Sequence, residues 1–255
     1  MGNSNKIFVV VPTFNEAENI PRLAEAIFSL PNDGIQILIV DDNSPDGTGQ
    51  IADHLADDYP GRVNVLHRMG KKGLGTAYIE GFQSALTSGA DVIVQMDADF
   101  SHPPEKVLEL VDGLINSDLV LGSRYIPGGK LDDHWPLWRK GLSYFGNFYA
   151  KVILNLPIND ATGGFRAWRR ETLLGMPLKR IRSNGYAFQV EMLYVAQKLG
   201  YACSEVPFYF ADRKWGKSKM SFNIQLEAAV RVWKMLYEYR DLNSTENSKH
   251  NSLII

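Results

Sequence analysis

Apolar runs that stop abruptly at a proline or an acid recur along the first half of this chain. Ile7-Phe8-Val9-Val10-Val11 ends at Pro12, Ile35-Gln36-Ile37-Leu38-Ile39-Val40 ends at Asp41-Asp42, and Val92-Ile93-Val94-Gln95-Met96 ends at Asp97-Ala98-Asp99. Val63-Asn64-Val65-Leu66 is a shorter member of the set. Such runs are expected of strands covered on both faces, as in a parallel sheet. Helical stretches lie between them. The first has Asn19 as N-cap, Pro21 in its opening turn and Leu23, Ala26, Ile27 and Leu30 on one face. Others are expected from Gly49 to Ala56, from Ala77 to Leu86 and from Glu105 to Ile115, the last leading to a strand at Leu119-Val120-Leu121. This alternation predicts an α/β fold, a mostly parallel open sheet with helices on both faces.

In such a sheet the ligand crevice lies beyond the carboxyl ends of the strands. Pro12, Asp42, Asp97 and Asp99 are therefore expected along one edge. Two carboxylates there, Asp97 and Asp99, suit a hard divalent cation, Mg2+ or Mn2+, when a substrate's phosphates supply the remaining oxygens. Asp42 is placed to accept from base or ribose donors, and Asn15 and Glu16 offer similar polar recognition. Arg124, after the fifth strand, and Arg213 and Lys219, in a loop with Gly216 and Ser218, would balance phosphate charge. One ligand accounts for all four clusters: a nucleotide diphosphate whose leaving group is neutralised by a metal.

The later half is less regular. Residues 126–157 carry Trp135, Trp138, Arg139 and Lys140, followed by Tyr144, Phe145, Phe148, Tyr149, Val152, Ile153 and Leu156 at helical spacing. This is a candidate interfacial segment, with Trp135 and Trp138 at headgroup depth, although the same face would equally suit packing on the domain. Residues 160–169 read as a turn-rich stretch that folds back towards the site. A helix is expected from Ala187 to Leu199, and a late strand from Cys203 to Phe210 at a sheet edge because Pro207 interrupts it. The chain is expected to comprise a main domain at 1–220, which would carry any catalytic site, a C-terminal amphipathic helix at 221–240 and a flexible tail at 241–255. Phe222, Leu226, Val230, Trp233 and Tyr237 share one face of that helix, which would dock on the body, a membrane or a partner.

At 255 residues, 45% of them hydrophobic, the chain is long enough for a substantial core. A net charge of -2 gives no whole-chain basis for binding nucleic acid. The single Cys203 excludes an intrachain disulfide and fits a reducing compartment. The polar start Met1-Gly2-Asn3-Ser4-Asn5-Lys6 precedes too short an apolar run for a signal peptide, and it lacks the hydroxyl residue of a myristoylation signal. No stretch approaches the roughly 18 apolar residues of a spanning helix, so membrane association is expected to be peripheral.

Ordered motifs across residues 7–220 resemble the family 2 glycosyltransferases, and within them the dolichol- or polyprenol-phosphate mannose synthases. They are Val11-Pro12-Thr13-Phe14-Asn15-Glu16, Val40-Asp41-Asp42-Asn43-Ser44-Pro45-Asp46-Gly47-Thr48, Gly73-Leu74-Gly75-Thr76-Ala77-Tyr78, Met96-Asp97-Ala98-Asp99-Phe100-Ser101-His102-Pro103-Pro104, Gly122-Ser123-Arg124-Tyr125, Gly185-Tyr186-Ala187-Phe188-Gln189-Val190-Glu191-Met192 and Asp212-Arg213-Lys214-Trp215-Gly216-Lys217-Ser218-Lys219-Met220. The early motifs are shared by many members, whereas the Ser-Pro-Asp-Gly-Thr, Gly-Leu-Gly-Thr-Ala-Tyr and late Asp-Arg…Gly-x-Ser-Lys sets are more discriminating.

The resemblance implies a GDP-mannose donor, a polyprenyl (dolichyl) monophosphate acceptor and transfer with inversion to a β-linked mannosyl phospholipid. By matching position, Pro12, Phe14, Glu16, Val40 and Asp42 would line the nucleoside pocket. Asp97, Ala98 and Asp99 would form the metal and diphosphate site, Arg124, Arg213 and Lys219 would meet phosphates, and Arg139 and Ser143 the acceptor phosphate. Phe14 replaces the commoner tyrosine. Ser101 stands where some relatives place a glutamine ligand, and it is not counted as one. The resemblance also implies work at the cytoplasmic face of a membrane, by peripheral contact or through a small anchoring subunit. Three alternatives stay open: UDP-glucose as donor, a hydroxyl acceptor with Asp160 or Glu191 as base, and a nucleotide-sugar-binding subunit without turnover.

Overall fold

The computed structural model of the chain describes residues 5–212 and 222–242. Strands β1 (Ile7–Thr13), β2 (Ile35–Asp41), β3 (Val63–His67) and β4 (Val92–Gln95) alternate with helices α1 (Ile20–Phe28), α2 (Thr48–Asp58) and α3 (Leu74–Thr87). Then come α4 (Val107–Gly113), β5 (Leu119–Ser123), the short β6 (Lys130–Leu131) and the long α5 (Leu137–Leu154). The order continues through β7 (Arg166–Arg169), α6 (Arg170–Gly175), α7 (Gly185–Lys198), β8 (Cys203–Pro207), β9 (Tyr209–Phe210) and α8 (Phe222–Glu238).

Seven strands form one sheet in the order β3-β2-β1-β4-β7-β5-β8. All run parallel except β7, which is antiparallel to both β4 and β5. β1 connects outward to β2, and β3 returns to β4 on the opposite flank of β1. The crevice at that reversal is where ligands bind in open α/β sheets. β8 forms the edge, with Pro207 at its end as anticipated. The chain then departs into a two-stranded ribbon of β6 and β9.

Side chains alternate across the sheet, so each strand feeds two cores. Ile7, Val9 and Val11 pack with Leu23 and Ile27 of α1 and with Leu110 of α4. Phe8 and Val10 pack on the opposite face with Phe82 of α3 and with Phe188 and Met192 of α7. α7 is buried without interruption from Ala187 to Ala196, because it lies between the sheet and α8. α3 approaches the sheet closely at Gly81, where a Cβ would stand 2.5 Å from Val10 Cγ1. It begins three residues before the expected start, entered through Gly73 at φ +102°.

Four expectations change. Residues 166–169 are a central strand inside the turn-rich stretch. Asn19 occupies the N-cap position of α1, but its amide donates to Glu16 Oε2 at 2.7 Å and caps nothing. Trp135 is 8% exposed, packed edge-on against Phe210 with the Arg139 guanidinium 3.5 Å from its ring centroid. It precedes the helix and turns inward, so only Trp138, at 70%, faces out. α8 docks on the body through Val232, Met235 and Tyr239, leaving the stripe of Val230, Trp233 and Tyr237 exposed. Among the described residues no helix is long and apolar enough to cross a membrane.

Candidate active site

Asp97 and Asp99 follow β4 at the reversal point, on either side of buried Ala98. Tyr78, fully buried on α3, donates its hydroxyl to Asp97 Oδ1 at 3.0 Å. Its ring stacks in parallel on Phe188, centroids 5.9 Å apart. Burial, and then the negative charge of Asp97, push the Tyr78 hydroxyl well above its ordinary pKa, so it stays a donor. The Asp97 N–H donates to His102 Nδ1 at 3.0 Å, which puts the proton of a neutral ring on Nε2. Burial pushes His102 down, against the opposing pull of Asp97 and Asp99.

Phe100 adopts φ +60°, unusual for a large side chain. That left-handed residue brings Ser101 back to Asp99, whose Oδ1 accepts from the Ser101 N–H at 3.1 Å and hydroxyl at 2.6 Å. Ser101 therefore orients an acid. Among the described residues no group of three or more His, Cys, Asp or Glu converges as a metal cluster. Two oriented hard carboxylates fit Mg2+ or Mn2+ whose other ligands are diphosphate and water oxygens, since Mg2+ is ordinarily held by one or two carboxylates with phosphates.

The residues expected to receive a nucleoside lie beside β1 and β2, where the register sets Pro12 against Val40 and Thr13 against Asp41. The two neighbouring acids have separate tasks. Asp41 accepts from the Thr13 hydroxyl at 3.1 Å and from the Ser44 N–H and hydroxyl, so it shapes the loop. Asp42 is paired with Arg68, whose guanidinium also reaches Glu80 at 3.0 Å through two nitrogens and Thr76 Oγ1 at 2.6 Å. Burial raises the Asp42 pKa, partly offset by Arg68. Glu16 is held to the second loop by its N–H, which donates to Thr48 Oγ1 at 2.9 Å. The Lys71 ammonium sits 4.1 Å above the Phe14 ring centroid. Arg68 and Glu80 were not anticipated; Arg68 directly follows β3, on the same edge as the acids that were.

The expected phosphate arm differs most. Arg124 gives Nε and Nη2 to the two oxygens of Asp160 at 2.7 and 2.6 Å, and its N–H also meets Asp160 at 2.9 Å. Both side chains are essentially buried, so Asp160 already balances Arg124. Burial opposes that charge, but Asp160 outweighs it and holds the guanidinium protonated. Arg213 and Lys219, with Gly216 and Ser218, lie outside the described residues. Arg139 and Ser143 fall one turn apart on α5. Arg139 reaches Asp212 at 3.4 Å, and Ser143 Oγ accepts from the Tyr125 hydroxyl at 2.7 Å, tying α5 to the end of β5. Asp212 is itself fixed, its N–H donating to Asp132 Oδ2 at 2.9 Å.

Neither candidate base is accessible. Asp160 and Glu191 are both 0% exposed. Glu191 accepts from the Arg182 and Ser183 N–H groups, Arg231 Nη2 and the Tyr239 hydroxyl. Arg166, on β7, is a further buried cation that sequence reasoning missed. Its guanidinium donates to the carbonyls of Ala161, Gly163 and Gln189 and so fixes the loop that carries Asp160.

A mostly parallel sheet with a diacid at its reversal point and further polar side chains along the same edge is the frame expected of a nucleotide-sugar transferase. Residues 8–174 match the glycosyl transferase family 2 domain, and the chain belongs to that family. It is a glycosyltransferase. It is 46% identical over 231 residues to an undecaprenyl-phosphate mannosyltransferase of Micrococcus luteus, covering 89% of this chain and 92% of that one. A polyprenol monophosphomannose synthase of Mycolicibacterium smegmatis is 43% identical, covering 90% and 86%. A dolichol-phosphate mannosyltransferase of Pyrococcus furiosus is 36% identical over 91% of this chain, which spans 64% of that protein. The crystal structure of a Mycobacterium tuberculosis glucosyl-3-phosphoglycerate synthase with Mn2+ and UDP matches with a TM-score of 0.63 at 18% identity, covering 92% of this chain and 80% of that one. At that identity the likeness speaks to the shared fold.

Proposed function

We propose that this glycosyltransferase moves mannose from GDP-mannose to a polyprenyl monophosphate with inversion, releasing GDP. The observation that carries the reading is the burial and full hydrogen bonding of Asp160 and Glu191, the two acids considered as a base for a hydroxyl acceptor. An alcohol needs a base to become a good nucleophile. A phosphate monoester arrives anionic and needs none. The names of the relatives at 36–46% identity point to the same acceptor and sugar.

In this reading Pro12, Phe14, Glu16, Val40 and Asp42 receive the nucleoside, with Arg68 and Glu80 holding Asp42. Asp97 and Asp99 hold the divalent cation, which neutralises the departing diphosphate. Arg213 and Lys219 screen phosphate, and Arg139 and Ser143 receive the acceptor phosphate. Catalysis then rests on positioning and charge. α5 exposes Leu137, Trp138, Tyr144, Phe145, Phe148 and Val152 beside Arg139 and Lys140, which suits the cytoplasmic surface of a membrane carrying the acceptor.

The test is to incubate the purified chain with Mg2+ or Mn2+, a panel of nucleotide sugars and short polyprenyl phosphates, and to identify glycolipids by mass spectrometry. A mannosyl phospholipid formed only from GDP-mannose is expected, and turnover without added protein would dispense with an anchoring subunit. Exclusive use of UDP-glucose, or of a hydroxyl acceptor, would overturn the reading. Asp99→Ala should abolish turnover with the circular dichroism spectrum unchanged. Flotation with anionic vesicles should carry the wild-type chain upward.

A further inference from the structure

Glu191 is the one charged residue in the buried run of α7 from Ala187 to Ala196. A carboxylate taken wholly out of water costs several kcal/mol unless its oxygens are well matched. Here four donors match it, and they come from two sides. Oε2 takes the N–H groups of Arg182 at 3.2 Å and Ser183 at 2.7 Å. Oε1 takes Arg231 Nη2 at 2.8 Å and the Tyr239 hydroxyl at 2.7 Å. Arg231 lies on α8 and Tyr239 directly after it. Arg231 Nε also donates to Ser183 Oγ at 2.9 Å. The carboxylate thus clasps the turn leading into α7 to the C-terminal helix.

That turn lies directly against the glycine-rich entry of α3. A Cβ at Gly75 would stand 2.5 Å from the Ser183 carbonyl oxygen, and one at Gly73 2.7 Å from Asn184 Oδ1. Three residues before Glu191, Phe188 stacks on Tyr78 of α3. α3 in turn carries both halves of the site. Tyr78 donates to Asp97 at the metal end. Thr76 and Glu80 hold Arg68 and, through it, Asp42 at the nucleoside end. A shift of the 182–184 turn towards α3 is resisted by the backbone contact of the Ser183 carbonyl at Gly75, so it displaces α3.

We propose that Glu191 is a positioning residue for the donor site, and that the seating of α8 against it is part of the donor site's geometry. It touches no reacting group. It sets where α7 and the 182–184 turn press on α3, and therefore the separation between the Asp42 and Asp97–Asp99 ends. The inference rests on the proposed donor site, because it takes those two ends as the places where nucleoside and metal-bound diphosphate are held.

The full-length chain carrying Glu191→Gln tests it. The amide keeps the shape and one acceptor but removes the charge facing Arg231. Titration calorimetry with GDP in the presence of Mn2+, needing no acceptor or turnover, should show affinity weakened by at least about twofold, the scale of a substitution that acts on a site through packed intermediates. In turnover, the KM for the nucleotide sugar should rise with that for the lipid phosphate unchanged. A purely stabilising role would lower the active fraction and apparent kcat and leave GDP affinity and donor KM unmoved. That outcome overturns the proposal.

Arg231→Met and Tyr239→Phe, which act from α8 and its C-terminal end, should weaken GDP binding in the same direction. If Glu191→Gln fails to fold, these two decide the matter, and wild-type GDP affinity in both refutes it. If the wild-type chain binds GDP with Mn2+ but glycosylates no polyprenyl phosphate, the acceptor assignment fails and the binding comparison still stands. If the wild-type chain binds neither GDP nor UDP, the donor-site reading and this inference fall together.

Discussion

Replacing Asp160 with asparagine separates a structural acid from a catalytic one. The variant keeps the volume and one acceptor oxygen, but it turns an NH2 towards a guanidinium that has no acceptor of its own. Arg124 would be left 5% exposed without its counter-charge, and the paired bonds at 2.6 and 2.7 Å would not both survive. Breaking a buried pair from one side costs about 3–5 kcal/mol. For a domain of this size each kcal/mol is worth roughly 2–4 °C, so the melting temperature should fall by about 6–20 °C. Differential scanning calorimetry reads this directly, with turnover measured well below the new transition. Replacing both partners, Arg124→Met with Asp160→Leu, should recover part of the lost stability, because apolar substitution of a buried pair is often neutral or better, while the Arg124 N–H loses its acceptor on Asp160. An Asp160→Asn variant that melts like the wild type yet has lost all turnover would refute the reasoning and restore Asp160 as a base.

Tyr78→Phe keeps the stacking on Phe188 and removes the bond to Asp97, a charged-acceptor bond worth about 1.5–3 kcal/mol; Mn2+ affinity in the presence of GDP, read by electron paramagnetic resonance, should fall, and an unchanged value would count against Asp97 as a ligand. Gly75→Ala drives a Cβ into the Ser183 carbonyl and should destabilise by about 1–3 kcal/mol, whereas Gly146→Ala on α5, with nothing within 4 Å, should raise the melting temperature slightly. His102 has a folded pKa below its unfolded 6.5, so as pH falls the unfolded chain takes the proton first. Its contribution to stability is therefore complete above that value and lost as pH drops through and below it; melting temperatures from pH 8 to pH 5 should decline, and His102→Gln should flatten the decline. Burial raises the Cys203 thiol to about 12, so it should resist alkylation in the native chain and react at once in denaturant.

The edge on which Pro12, Asp42 and Asp97 meet was legible because uninterrupted apolar runs declare parallel strands, and parallel strands declare a common carboxyl end. β7 was not. Arg166 and Arg169 make half of its four residues charged, and their acceptability inside a sheet depends on carbonyls from distant segments, Gln189 for one and Ser117 for the other. Trp135 and Trp138 look alike as letters; a proline between them decides which belongs to the helix. Of the α8 stripe read from periodicity, Val230, Trp233 and Tyr237 face outward, since the docking face mixes Arg231 with Val232 and Met235. Arg124 was expected to balance phosphate charge; its pairing with Asp160 was not legible, because that partner lies 36 residues later in a loop whose course depends on Arg166.

β7 also bears on how the chain is made. β4 and β5 are both synthesised well before Arg166, yet each has its neighbour in β7 and nowhere else on that flank. Until the chain has extended through Arg169, the sheet ends at β4, and β5 has no partner, leaving two open segments of buried character, Val92-Ile93-Val94 and Leu119-Val120-Leu121. Open apolar edges template aggregation. A nascent or truncated chain that stops short of this strand is therefore a hazard, and insertion of four residues running against the grain joins the β1–β4 half of the sheet to the rest.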